Sequence, residues 1–229
     1  MGTDGKLIQF SAGAGTASGY LAIPKGGSNH PAVIVVQEWW GLNDHIKDIA
    51  GRFAEQGYVA LAPDLYDGVA TKDAGEAGKL MEGLSQEKGL ETLDGAVEFL
   101  RNHNGVNPER IVITGFCMGG SYALRMACHN PHIKASAPFY GDVPPDDILE
   151  KLSAPVLFFG GEQDQWINAE KTNKLEAGLA RFKKKGEVKV YSGVGHAFFN
   201  DTRPEAYNKA AAEDAWTRTL AFFAENLKG

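Results

Sequence analysis

The chain has 229 residues, two cysteines and a net charge of −6, from 23 lysines and arginines against 29 aspartates and glutamates. That length holds one well-cored domain, and large α/β domains reach it undivided. The charges are interspersed, the basic cluster Lys183–Lys185 ends a helical pattern, and no apolar run approaches the roughly 20 residues of a membrane helix, so nucleic acid and membrane are excluded as partners.

Lys6–Phe10 and Ala17–Ile23, joined by a glycine-rich link, predict an N-terminal antiparallel hairpin. Ala32–Val36 is a continuous apolar run, the pattern of a strand buried on both faces. Asn43 or Asp44 then caps a helix whose Ile46, Ile49 and Phe53 share one face, and Gly57 ends it. Tyr58–Ala62 is the next strand. Residues 67–88, rich in glycine and alanine, predict a mobile helical excursion, and Leu90, Leu93, Val97 and Leu100 mark a further helical face. Strands follow at Ile111–Thr114, Lys134–Phe139, Val156–Phe159 and Val188–Tyr191. Helices are expected at Tyr122–Ala127, at Ala169–Lys184 and at the C-terminus, where Trp216, Leu220, Phe223 and Leu227 form one stripe. Strands alternating with helices point to a mostly parallel sheet covered on both faces, one domain over residues 1–229. A Gly-Ala-Gly-Thr stretch (13–16) lies between hairpin strands, not between strand and helix, so it fails as a nucleotide-binding loop. No cofactor or metal is expected.

The two thiols differ in context. Cys117 and Cys128 lie 11 residues apart across one predicted helix, on the order of 16 Å at ~1.5 Å per residue, too far for a disulfide. Met1–Lys6 lacks the apolar core of a secretory signal, and two lone thiols without one predict a reducing cytoplasm. Cys128 reads as a packing residue near the helix end. Cys117 sits in Gly-Phe-Cys-Met-Gly-Gly (115–120), between a β-branched run and a helix-capable segment. This is the context of a nucleophile elbow with sulfur in place of oxygen. Small neighbours permit the strained turn, and the positive end of the new helix favours a thiolate.

A cysteine nucleophile needs a base, and the base an orienting group. His196 follows a strand in the loop Gly-Val-Gly-His (193–196), whereas the other five histidines lack a matching strand end. Two carboxylates, Glu162 and Asp164, follow the preceding strand, and loop length favours Asp164. Nucleophile, acid and histidine in this chain order follow the α/β-hydrolase arrangement, at the strand ends where open sheets bind ligands. The segment Gln-Glu-Trp-Trp-Gly-Leu-Asn (37–43) puts Glu38, Trp39 and Trp40 after another buried strand. In this fold that loop and the residue after the nucleophile supply the oxyanion amides, which nominates Trp39 and Met118. Phe198 forms an apolar lip after His196. Trp40 and Phe198 are candidate substrate contacts.

These segments, with Ala-Pro-Asp-Leu-Tyr (62–66), Phe-Tyr-Gly (139–141) and Gly-His-Ala-Phe-Phe (195–199), cover nearly the whole chain in order. Together they resemble the dienelactone hydrolase (carboxymethylenebutenolidase) family of α/β-hydrolases. The resemblance implies a Cys117–His196–Asp164 triad that cleaves a lactone or activated ester through a thioacyl-enzyme. It implies that Glu38 regulates the thiol proton and that Tyr140 lines the pocket. Arg203 stands where one of two substrate-binding arginines is expected, at a longer offset from the histidine, and residues 67–88 hold no counterpart of the other. A small-molecule substrate and a monomer or weak homodimer are implied. A broader carboxylesterase or thioesterase, or a non-catalytic ligand-binding or redox-sensing protein on the same scaffold, are the alternatives.

Overall fold

A computed structural model describes residues 5–228, so the leaderless reading of the first residues lies largely outside it. Among the described residues, eight strands form one mostly parallel sheet in the order β1-β2-β4-β3-β5-β6-β7-β8, with helices around it. The chain divides into two compact units between Ile113 and Thr114.

In the first unit, β1 (Gly5–Ala12) and β2 (Gly15–Ala22) form the expected antiparallel hairpin, with Ala12 opposite Gly15 and the turn bent at Gly13, φ +53°. β2 pairs antiparallel with β4 (Val59–Pro63), which runs parallel to β3 (His30–Val36). Ala32–Val36 is wholly buried, as a strand with layers on both faces must be. α1 (Asp44–Glu55) starts where Asn43 Oδ1 accepts the Ile46 N–H at 3.2 Å, and Ile46, Ile49 and Phe53 form its buried stripe. Gly57, at φ +88°, takes the chain out of it. The Ala-Pro-Asp-Leu-Tyr segment serves the fold through Asp64, which is buried and accepts the N–H groups of Tyr66 (2.9 Å) and Gly68 (2.6 Å). Residues 67–88 contain α2 (Ala74–Gly83), capped by Asp73 and anchored by Ala77, and the start of α3 (Gln86–Arg101), whose Leu93, Val97 and Leu100 are fully buried.

β5 (Val106–Phe116) starts five residues earlier than its β-branched run and carries the chain into the second unit. There follow α4 (Met118–His129), β6 (Ile133–Phe139), α5 (Asp146–Leu149), β7 (Val156–Gly161), α6 (Ala169–Arg181), β8 (Gly186–Tyr191) and α7 (Lys209–Asn226). β6, β7 and β8 are successive parallel neighbours, so their C-terminal ends share one edge of the sheet. Two elements differ from expectation. The single turn α5 has no sequence periodicity to announce it. In α7 the buried stripe runs through Ala211, Ala215, Thr219 and Phe223, leaving Trp216 and Leu220 half-buried. Small side chains let that face lie close to the strands, whereas the bulky indole fits better at the margin. Under the strand ends of this unit, Phe116, Phe139, Phe159 and Phe199 form an aromatic floor, with Phe139 4.6–5.0 Å from each of the others, centroid to centroid. Each such pair contributes about 0.5–1.5 kcal/mol beyond the area it buries.

Candidate active site

Cys117 occupies the sharp turn between β5 and α4 with φ 55° and ψ −119°, a backbone state an L-residue adopts at a cost of about 1–3 kcal/mol. The turn is held from both sides. The Cys117 N–H donates to Phe139 O at 3.1 Å, and Cys117 O accepts the Ser121 N–H at 3.2 Å. Two glycines make the close approach feasible: a Cβ on Gly120 would lie 2.4 Å from Phe139 O, and one on Gly141 would lie 2.2 Å from the Gly120 carbonyl carbon. The thiol is half-buried at the N-terminus of α4, where the helix dipole favours negative charge. Met118 opens that helix, so its N–H lies in the first turn, at the positive end of the helix dipole.

The base and its orienting carboxylate come from the loops after β8 and β7. Gly161, the last residue of β7, allows them to touch: a Cβ there would sit 2.5 Å from Val194 O and 2.7 Å from Gly195 O. The Gln163 N–H also donates to Val194 O at 2.8 Å. With the loops joined, His196 Nδ1 lies 2.6 Å from Asp164 Oδ2, a short charge-assisted distance. The other carboxylate oxygen, Oδ1, accepts the N–H groups of Trp166 (2.8 Å) and Ile167 (2.9 Å). Asp164 is buried, and its Oδ2 is committed to the ring. Glu162, the competing carboxylate, is exposed and accepts from Gly193 N (2.8 Å) and Ser192 Oγ (2.7 Å), so it braces the loop and leaves the imidazole to Asp164.

The electrostatics follow from these contacts. Burial alone would push the His196 imidazole down, but hydrogen bonds to Asp164 and Cys117, with the negative charge of both, lift it to about 9. Burial would raise Asp164, yet the bonds from His196, Ile167 and Trp166 hold its carboxyl below the usual range. With Nδ1 committed to Asp164, Nε2 is the nitrogen left for the sulfur. Cys128 contrasts with this: buried in α4, its thiol is pushed up to about 11, the behaviour of an inert packing residue.

Two rings flank the imidazole. Tyr140, fully buried and held at φ +39°, has its ring centroid 4.9 Å from His196. Trp166 approaches at 5.0 Å, its ring inclined 81° to the imidazole. Trp166 is absent from the candidates the sequence suggests, although a lone indole among polar residues two positions after Asp164 was a usable signal. Phe198 is fully buried behind Tyr140, ring centroids 5.3 Å apart. Arg203 directs Nε and one terminal nitrogen onto Glu205 Oε1, both at 2.8 Å. In the first unit, Glu38 is buried after β3, and Trp39 and Trp40 are half-buried with ring centroids 4.8 Å apart. Gly41 supports that loop at φ +90°, where a Cβ would sit 2.4 Å from Val69 O.

Among the described residues no cluster of side chains fits a metal ion, and no helix is long and apolar enough to cross a membrane.

Residues 17–227 match the sequence pattern of the dienelactone hydrolase family. The chain is 37% identical to "Protein usf" of Aquifex pyrophilus over 97% of its own length and 99% of that protein. It is 35% identical to a protein of Aquifex aeolicus provisionally named a carboxymethylenebutenolidase, over 98% and 100% of the two chains. Among solved structures, a protein of Klebsiella pneumoniae subsp. pneumoniae provisionally described as a dienelactone hydrolase superimposes with a TM-score of 0.88 at 33% identity, covering 96% of this chain and 99% of that one.

Proposed function

Since the chain belongs to the dienelactone hydrolase family, a family of lactone and ester hydrolases, we propose that it cleaves a lactone or activated ester by nucleophilic catalysis at Cys117, with His196 as base and Asp164 as its orienting partner. The observation that carries this reading is the 2.6 Å hydrogen bond between His196 and a buried Asp164, in a chain whose thiol Cys117 sits on a strained elbow and acts on the proton affinity of that same imidazole. Such an arrangement has no evident value for packing. It leaves a strained turn and a buried charged pair that a purely structural protein would lose without penalty.

In the first half-reaction a sulfur lone pair forms the C–S bond while the carbonyl π electrons move onto oxygen. The amide of Met118 supports that oxyanion; the amide of Trp39 is the second donor by the fold resemblance, and one such donor contributes about 10²–10³ in turnover. Collapse breaks the C–O bond, and the leaving oxygen takes its proton from the His196 imidazolium. In a lactone, that oxygen stays tethered to the acyl group. Water then adds to the thioester carbonyl as its proton passes to His196, and cleavage of C–S returns the thiolate and a carboxylic acid.

The raised proton affinity of His196 serves both halves. When Cys117 gives up its proton for attack, the ring takes it, and the charge left on the sulfur helps hold it there, ready for the leaving group. Acylation removes the sulfur's charge, while burial of the ring continues to favour the neutral form, so the base is released as water must be deprotonated. Glu38, also by family resemblance, keeps the resting thiol protonated. Arg203 has its Nε and one terminal nitrogen on Glu205, so a substrate carboxylate would compete with Glu205 for those two donors. Two free thiols suit a reducing cytoplasm, with a small-molecule ester or lactone as the partner.

The test is to quench the enzyme during turnover of a p-nitrophenyl ester and of an enol-lactone, then map the adduct by mass spectrometry. We expect an acyl group on the peptide carrying Cys117 and no turnover in Cys117→Ala. Undiminished turnover in that variant would refute the reading.

A further inference from the structure

We propose that Trp166 is a positioning residue that holds the His196 imidazole in place while the Cys117 sulfur carries the acyl group, an inference that rests on the nucleophilic reading above. In the resting site the ring is restrained by its bond to Asp164 Oδ2, by the Cys117 sulfur and by two flanking aromatic rings. Once the sulfur is a thioester it carries no charge and offers a poor acceptor. One hydrogen bond at Nδ1 then leaves the ring free to tilt about that contact, and water is activated only while Nε2 faces the acyl carbon. The rings must supply the missing restraint. One is Tyr140, fully buried and fixed by the Phe139–Phe198 cluster. The other is Trp166.

Three features of Trp166 suit this role. Its indole is 65% exposed, so core packing does not account for it. Its own N–H donates to Asp164 Oδ1, which ties its backbone to the carboxylate that orients the base. Its ring meets the imidazole at 5.0 Å in a T-shaped arrangement. The charge-bearing groups that act on His196 are Asp164 and Cys117, and the Tyr140 ring lies 4.9 Å from it. An aromatic pair contributes about 0.5–1.5 kcal/mol, which converts to roughly a 2- to 12-fold effect on a step that depends on it.

The two half-reactions are timed separately. Acylation is read by stopped-flow release of p-nitrophenol, and deacylation by decay of the acyl adduct on Cys117 after excess ester is removed. Trp166→Ala should slow deacylation by about 2- to 12-fold and leave acylation within about twofold, because the sulfur still restrains the ring before acyl transfer. Trp166→Phe should restore most of the loss, and Trp166→Gln, which keeps a polar side chain without a ring, should behave as Ala. Equal slowing of both half-reactions, no change in either, or a Phe variant no better than Ala would overturn the proposal. Those results leave the nucleophilic reading standing, whereas turnover persisting in Cys117→Ala removes both.

Discussion

Replacing Asp164 by Asn tests the orientation of the base without altering its shape. Asp164 Oδ1 is committed to the N–H groups of Trp166 and Ile167, at 2.8 and 2.9 Å, so an Asn side chain must keep its carbonyl oxygen there. Its NH₂ then faces His196 Nδ1, where Oδ2 stood at 2.6 Å. A donor at that point forces Nδ1 to accept, which places the imidazole proton on Nε2, toward the sulfur. The ring can then accept a proton neither from the thiol nor from water. A wrong tautomer of this kind costs about 10⁴ in turnover in the serine-protease case that defines the effect, and a loss of at least about 10³ is expected here by the same argument. The same change removes a charged hydrogen bond, about 1.5–3 kcal/mol of stability. The sign with pH follows from the two shifts. His196 is raised to about 9, so its contribution is complete below its ordinary value near 6.5 and disappears as pH rises through about 9. Asp164 is lowered, so its contribution exists above its ordinary value and is lost as acid protonates it. The stability gap between wild type and variant should therefore be widest near neutrality and narrow toward pH 10. Chemical denaturation between pH 6 and 10, with turnover measured on the same samples, follows both effects. Turnover within tenfold of wild type, or a gap that widens in alkali, would refute the assigned roles.

Gly120→Ala should destabilise the protein by about 1–3 kcal/mol and displace the elbow, because the new Cβ would lie 2.4 Å from Phe139 O and backbone must move; a thermal midpoint within a degree of wild type would show that the approach of α4 to β6 has slack. On the role proposed for Glu38, Glu38→Gln should shift the pH profile of Cys117 alkylation by iodoacetamide toward lower pH, because a carboxylate beside a thiol disfavours a second negative charge. An unchanged profile would remove Glu38 from control of the thiol.

The difference between what was legible in the chain and what was not is clearest at the candidate triad. The Cys117 elbow was readable because its signals are local: a β-branched strand, small residues at the turn and a helix directly after it. Asp164 and Glu162 were harder to separate, since both follow β7 and both are carboxylates. Their roles part only where the β8 loop crosses Gly161, giving the imidazole to one and Ser192 and Gly193 to the other. Trp166 was missed for the same reason, its partner being 30 positions away in the chain but 5.0 Å away in space.

Strand and helix periodicity and caps such as Asn43 were determined by the amino-acid sequence itself, because each depends on neighbours a few positions apart. The tertiary structure alone decided which carboxylate faces the imidazole, which face of α7 is buried and which aromatic rings flank His196. These depend on loop crossings and close approaches between distant segments, where a single missing Cβ, as at Gly161 or Gly120, determines whether two groups can meet.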